Sequence, residues 1–227
     1  MTMPLMWPLS TPRYAARVND GAPTYHHGNL RAALVETGLS MARESGPEGV
    51  ALREVARRVG VSHNAVYRHF GDRDELLGAI SQHAMDRLTA AMQARIAAVS
   101  DRDDDTARAR AQLSQIGRAY VEFALAEPGL FRVAFASKAD DAESPALGPP
   151  AGGGPYGLLN EALDRLVEVG YLHPARRPGS EVACWAAVHG CAALCLDGPL
   201  RRLPSEPRES ALSTLLDTIE RGLGDTP

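Results

Sequence analysis

Apolar positions along this chain recur mostly at three- and four-residue intervals, the period of helices that bury one face. The clearest instance is Leu52-Arg-Glu-Val-Ala-Arg-Arg-Val-Gly-Val-Ser-His-Asn-Ala-Val-Tyr-Arg-His-Phe70. Val55, Ala56 and Val59 fall on one stripe, while Arg53, Glu54, Arg57 and Arg58 fall away from it. Gly60 can take the left-handed conformation of a sharp reversal, Val61 plugs the gap, and Ser62 caps the next helix with its hydroxyl. That helix, read as 63–69, turns Val66 and Phe70 inward and leaves His63, Asn64, Tyr67, Arg68 and His69 as a polar and aromatic surface. A small residue at 56, a turn glycine at 60 and an apolar plug at 66 coincide at the offsets of a helix-turn-helix.

The flanks extend the pattern. A helix opening near Tyr25 carries Leu30, Ala33, Leu34, Met41 and Ala42 to cover the pair. Asp72 with Glu75 three residues on forms a capping box for a long helix from Arg73 to about Val99. The cluster Ser100-Asp-Arg-Asp-Asp-Asp105 breaks it and starts another, which lasts to Glu127-Pro128, and Leu130–Phe135 predicts a short helix. Residues 137–154, with three prolines and three consecutive glycines, read as a loop, and helices resume near 155–170, 179–197 and 206–223. The fold expected is all-α, with about nine helices: a three-helix head bearing the helix-turn-helix, then a larger helical body. Residues 1–23, with four prolines and no helical period, are expected to be a disordered arm, followed by the head at 24–73 and the body at 74–227.

Composition agrees with helix: Ala, Leu and Arg abound, while aromatic residues make up 5% of the chain. No run of about 18 apolar residues occurs, and the N-terminus has no unbroken apolar stretch of the secretory kind, so a cytoplasmic protein without a membrane partner is expected. The net charge of −4 looks wrong for a nucleic-acid binder until it is divided along the chain. Residues 1–73 hold nine Arg against six Asp and Glu, a balance of +3, and the remainder carries −7. Four of the seven histidines also lie in the head. This polarity points the head toward a polyanion and holds the body away from it.

At these residues the chain resembles the TetR/AcrR family of bacterial transcriptional regulators, through Arg-Glu-Val-Ala at 53–56, Gly-Val-Ser at 60–62, Val-Tyr-Arg-His-Phe at 66–70 and Asp-Glu-Leu-Leu at 74–77. The resemblance implies operator contacts from Arg53, Ser62, His63, Asn64, Tyr67, Arg68, His69 and Arg73. Two positions depart from the family pattern. Ala51 replaces a capping Ser or Thr, a loss of about 0.5–2 kcal/mol of helix support. Arg73 replaces a phosphate-contacting lysine, keeping the charge but changing the donor geometry. Further on, Trp185-Ala-Ala-Val-His-Gly190 is similar to the Trp-His-Gly signature of one C-terminal ligand-binding class.

The last two helices raise the question of association. Leu212, Leu215, Leu216, Ile219 and Leu223 form a stripe that suits either the body core or a second subunit, and periodicity cannot choose. Cys184, Val188, Cys191 and Cys195 make a stripe of small side chains on the helix before it. The resemblance implies a homodimer joined by these two helices of each subunit, with Cys184, Val188, Cys191, Cys195, Leu212, Leu216, Ile219 and Leu223 at the seam. Two-fold symmetry then matches a palindromic operator. The cysteines admit a sharper reading as a thiol sensor or, with His189, a metal site. The stripe lacks a second cluster to complete a tetrahedral shell, so buried thiols and no metal are expected.

Tyr120, Phe123, Phe131, Phe135, Tyr171, Trp185 and His189 are the candidates for an apolar pocket with a few hydrogen-bonding groups, against the alternative that these aromatics fill the core. No Gly-rich phosphate loop, His-Glu-x-x-His or Gly-x-Ser-x-Gly occurs, and neither an enzyme nor a cofactor is expected. The expected function is a dimeric repressor released from double-stranded DNA by a small-molecule effector. An activator, or a DNA-binding protein that answers to no ligand, would carry the same head.

Overall fold

The computed structural model describes residues 30–99, 104–136 and 153–224, and all the secondary structure in them is helical. Nine α-helices follow in order: α1 Leu30–Ser45, α2 Leu52–Val59, α3 His63–Tyr67, α4 Arg73–Ala97, α5 Asp105–Ala126, α6 Pro128–Ala134, α7 Gly154–Glu168, α8 Ser180–Leu196 and α9 Ser205–Gly224. The N-terminal arm, the start expected for α1 near Tyr25, and most of the loop at 137–154 lie outside the described residues.

Local chemistry sets the boundaries. Asp72 accepts the Glu75 amide at 2.8 Å, and Glu75 reaches back to the Gly71 amide at 2.6 Å, so α4 starts on a reciprocal cap displaced by one residue from the usual box. Asp104 accepts the Thr106 amide at the head of α5. Pro128 then opens α6 with the fixed φ that suits a first turn. Ala51 at the start of α2 offers no side-chain cap, as expected from its methyl group.

Leu76, Ile80, Ala84, Leu88 and Met92 recur every fourth residue along α4, and each is at most 2% exposed. This row joins α1–α3 to α5 and α6 in one continuous apolar core. A second cluster gathers Leu113, Leu159, Leu163, Leu166, Leu172 and Leu223 at the far end of α5, α7 and α9. Packed side chains therefore run unbroken from the helix-turn-helix into the body, and α4 is their spine. Among the described residues no helix is long and apolar enough to cross a membrane.

α6 meets α1 at van der Waals limits. A Cβ on Gly129 would lie 1.9 Å from the Ala42 carbonyl oxygen, so the absence of a side chain there lets the two backbones touch. Glu127, at the α5–α6 junction, accepts from Arg43 of α1 at 3.0 Å and from Arg87 of α4 at 2.9 Å. A single carboxylate thus ties together the helix that covers the helix-turn-helix, the spine and the body.

Candidate nucleic-acid interface and ligand pocket

The turn between α2 and α3 is built as its residues demand. Gly60 sits at φ 79°, a left-handed conformation that would strain a side chain. Its amide and that of Val61 both bond the Ala56 carbonyl, at 3.0 Å each. Ser62 Oγ accepts the Ala65 amide at 3.2 Å. Val66 and Phe70 are fully buried, with the Arg31 guanidinium 4.9 Å from the Phe70 ring centre. α3 is shorter than the 63–69 expected: after Tyr67 the His69 and Phe70 amides converge on the Val66 carbonyl, tightening the last turn.

This places Ser62, Asn64, Tyr67 and Arg68 on the exposed side of the motif, with Tyr67 46% exposed and His63 and His69 half-buried. The His63 and Tyr67 rings meet edge to face at 4.5 Å, and His63 Nε2 is buried without a partner. Arg53 is exposed, with no ion pair among the described residues. Arg57 and Arg58, by contrast, are spent on Glu54, and Arg58 also on Glu44. Hydrogen bonds from both arginines hold the Glu54 carboxyl down at about 2.

Arg73 is bonded within the head. Its Nε donates to the Val50 carbonyl at 2.8 Å and its terminal nitrogen to that of Pro47, while Asp74 lies 3.8 Å away. The guanidinium pins the start of α4 to the turn before α2, which the planar fork of Arg allows and a Lys could not reproduce. The charge remains at the surface, but the geometry is that of an internal strut.

The body holds a cavity of about 560 Å³ between α4, α5, α7, α8 and α9. Of the seven residues expected to line it, Tyr120, Phe135 and Trp185 do. Phe131 and His189 stand behind that wall, their rings stacked at 5.6 Å. Trp185 Nε1 donates to the Tyr120 hydroxyl at 3.2 Å, and that hydroxyl lies 2.7 Å from His189 Nδ1. The chain is satisfied when Tyr120 donates to Nδ1, which leaves the imidazole proton on Nε2. Burial pushes Tyr120 up and His189 down, so both stay neutral near pH 7.

Two expected residues are elsewhere. Phe123, 7% exposed, belongs to the core on another face of α5. Tyr171 closes the far end of the body: its hydroxyl donates to the Glu220 carbonyl at 3.0 Å, and its ring lies under Arg110 at 4.8 Å. Residues not singled out from sequence complete the wall, among them Met85, Met92, Ser114, Tyr156 and Glu220. The signal at 220 was an acid adjoining the leucine stripe; Met and Ser at helical spacing carry no comparable mark.

The residues expected at the dimer seam pack within the single chain. Cys184, Val188, Cys195, Leu212, Leu216 and Leu223 are each at most 9% exposed within the single chain, and Cys191 and Ile219 pack against the same cores. The stripes of α8 and α9 face the interior of the body, and Cys184, Val188, Leu216 and Ile219 also line the cavity. Gly117 makes the approach of α5 possible, since a Cβ there would stand 2.6 Å from Leu216 and 3.2 Å from Val188. Burial raises the Cys184 thiol to about 11, and burial with the adjacent Cys195 raises Cys191 likewise to about 11, the behaviour of unreactive thiols. The opposite faces are exposed and carry mostly small side chains, Ala183, Ala186 and Ala193 on α8 and Ala211, Thr214 and Thr218 on α9, with Leu194 the one large apolar side chain exposed there. Gly190 and Gly222 on these faces open onto free space.

Comparison with known proteins agrees with this arrangement. Residues 34–80 match the model of bacterial regulatory proteins of the tetR family, and residues 113–219 that of the tetracyclin repressor-like C-terminal domain. An HTH-type transcriptional repressor of Mycobacterium tuberculosis is 37% identical over 60 residues, 26% of this chain and 32% of that protein. The HTH-type regulator BetI of Burkholderia mallei is 41% identical over 71 residues, 31% of this chain and 36% of that one. This chain therefore spans about a third of the length of the curated relatives it matches. A solved protein of unknown function from Rhodococcus sp. RHA1 is similar over 90% of this chain and all of that one, at 29% identity and a TM-score of 0.65. A TetR variant of Acinetobacter baumannii in complex with minocycline shares the fold at 17% identity and a TM-score of 0.58, over 84% of this chain and 94% of that one. With a tetR-type helix-turn-helix at one end and a tetracyclin repressor-like domain over most of the rest, the chain belongs to the TetR family of bacterial regulators.

Proposed function

We propose that this protein is a homodimeric transcriptional repressor that leaves a palindromic operator when a small molecule enters the body cavity, and that it is not an enzyme. The observation that carries the reading is one continuous core linking an exposed α3 to a 560 Å³ apolar cavity. Asn64 and Arg68 are the residues proposed to enter the major groove, with Tyr67, Arg53 and the N-terminal turn of α3 against phosphate. Two heads about 34–36 Å apart would meet half-sites one turn apart on the same side of the duplex. A ligand preferring another body conformation moves them out of that spacing, and the two affinities then oppose each other by linkage. α4 and α6 are the proposed transmission, because Phe135 lines the cavity while Gly129 and Glu127 of the same region contact α1.

Selection of bound fragments from the source genome tests the reading. A palindrome should emerge, and its affinity should fall steeply with salt as phosphate counterions are released. Recovery of unrelated sequences, or a salt-independent complex, would overturn it.

The proposed dimer face is the outward side of α8 and α9. Small side chains let helices approach closely, and Ala186, Gly190 and Ala193 follow one another at helical spacing along that side. Ala193→Glu is expected to convert the dimer to a folded monomer with weakened operator binding, because the exposed side chain supports nothing within its own chain. Sedimentation gives the mass and circular dichroism the fold. A variant that stays dimeric places the seam elsewhere.

A further inference from the structure

Glu220 is the one carboxylate on the cavity wall among the described residues, and it is paired in place. Arg110 Nε donates to its Oε1 at 2.8 Å, and a second Arg110 nitrogen bonds the same oxygen. Arg110 itself lines a separate depression of about 320 Å³ with Ala107, Ala111 and Gln115. Ser114 and Glu220 belong to both spaces, so the ion pair stands where the apolar cavity adjoins a more polar one. Elsewhere the wall includes Phe135, Tyr156 and Trp185, whose polar atoms are either neutral or committed to the Tyr120–His189 chain. A cation or anion entering such a space gives up its hydration and meets no uncompensated opposite charge. An uncharged apolar body loses nothing on entry, and Ser114 Oγ, unbonded among the described residues, offers a hydrogen bond at the polar end.

We propose that the cavity takes an uncharged amphiphile, its apolar body against Phe135, Tyr156 and Trp185 and one hydrogen-bonding head between Ser114 and Glu220, and that the Arg110–Glu220 pair sets this charge class. The inference rests on the reading of the cavity as the effector site and adds what kind of molecule enters it. It also makes the specificity reversible, because removing either partner exposes the other. Glu220→Gln leaves the Arg110 guanidinium unpaired beside the cavity, and Arg110→Met leaves the Glu220 carboxylate unpaired on its wall.

The test is a set of ten-carbon probes of equal chain length, decanol, decanoate and decyltrimethylammonium, titrated into the full chain below their aggregation limits. Trp185 fluorescence reports binding, with Trp7→Phe as background. The parent should bind decanol at least about tenfold more tightly than either ion. Glu220→Gln should move the preference to decanoate, and Arg110→Met should move it to decyltrimethylammonium, each by about tenfold in the ratio of affinities. Non-specific partition of decanol cannot produce these exchanges, since its solubility is blind to residue 220. Both variants should keep the parent's circular dichroism, because partly exposed pairs contribute little to stability. If an ion binds the parent best, or the order of probes is unchanged in both variants, the charge assignment is overturned while the effector site stands. If no probe binds the parent or either variant, the effector-site reading falls with it.

Discussion

Gly129→Ala is expected to lower the melting temperature by about 2–12 °C and to cost most of the operator affinity, although the residue lies away from the proposed DNA face. The added methyl would stand 1.9 Å from the Ala42 carbonyl oxygen, 2.8 Å from its carbon and 3.0 Å from the Arg43 Cα. These are backbone atoms of α1 and cannot rotate aside, so α6 must lift from α1. Overpacking of this kind costs about 1–3 kcal/mol or more, and each kcal/mol moves the midpoint by about 2–4 °C at this size. The Glu127 bridge to Arg43 and Arg87 would be stretched in the same movement, freeing the head from the spine. Gly153→Ala supplies the control, since a Cβ there meets nothing within 4 Å. Thermal melts and operator titrations of the two variants decide the matter. If Gly129→Ala matches the control in both, the α1–α6 contact neither holds the fold nor couples its ends.

Asn64→Ala is expected to relax base preference by about tenfold to a hundredfold at one operator position, from the about 1–3 kcal/mol that a good base-edge pair contributes. Tyr67→Ala should weaken binding by about tenfold on all sequences, the loss of a hydrogen bond to a charged phosphate. Both side chains are exposed, so the melting temperature should hold. Measurement on the selected operator and on single-base variants of it separates the two effects. Unaltered affinity and preference in both variants would remove α3 from the groove. Arg73→Ala is a poor probe of the same face: its hydrogen bonds to Val50 and Pro47 make any loss of binding a loss of head geometry as well.

Much of the head was legible in the chain because its signals are local. A turn glycine at 60, a cap at 62 and a cap at 72 each act within a few residues, and the structure has them bonded to Ala56, Ala65 and Glu75. Helix existence was legible for the same reason, since a 3.6-residue period needs no partner to be recognised. α3 was read two residues too long because the convergence of two amides on Val66 depends on how the chain enters α4.

The seam and the pocket depended on neighbours distant in sequence. In α9 the leucine stripe marks an apolar face whether that face meets α5 or another subunit, and the choice was made by Gly117, about a hundred residues earlier, whose missing side chain admits Leu216. Tyr171 and Phe123 have the same chemistry as Tyr120 and Phe135, yet a rotation about a helix axis or a position past its end puts them outside the cavity. Arg73 bonds the Val50 carbonyl and Glu220 pairs with Arg110, contacts that no local pattern announces. What the amino-acid sequence determined alone was which segments are helical, where most of them begin and which apolar faces they carry, and that the head is basic, because these follow from interactions within a few residues and from summed charge. Which apolar face is core, which aromatic lines the cavity and which charge is neutralised were decided by the tertiary structure, because each depends on a contact between helices that no local period encodes.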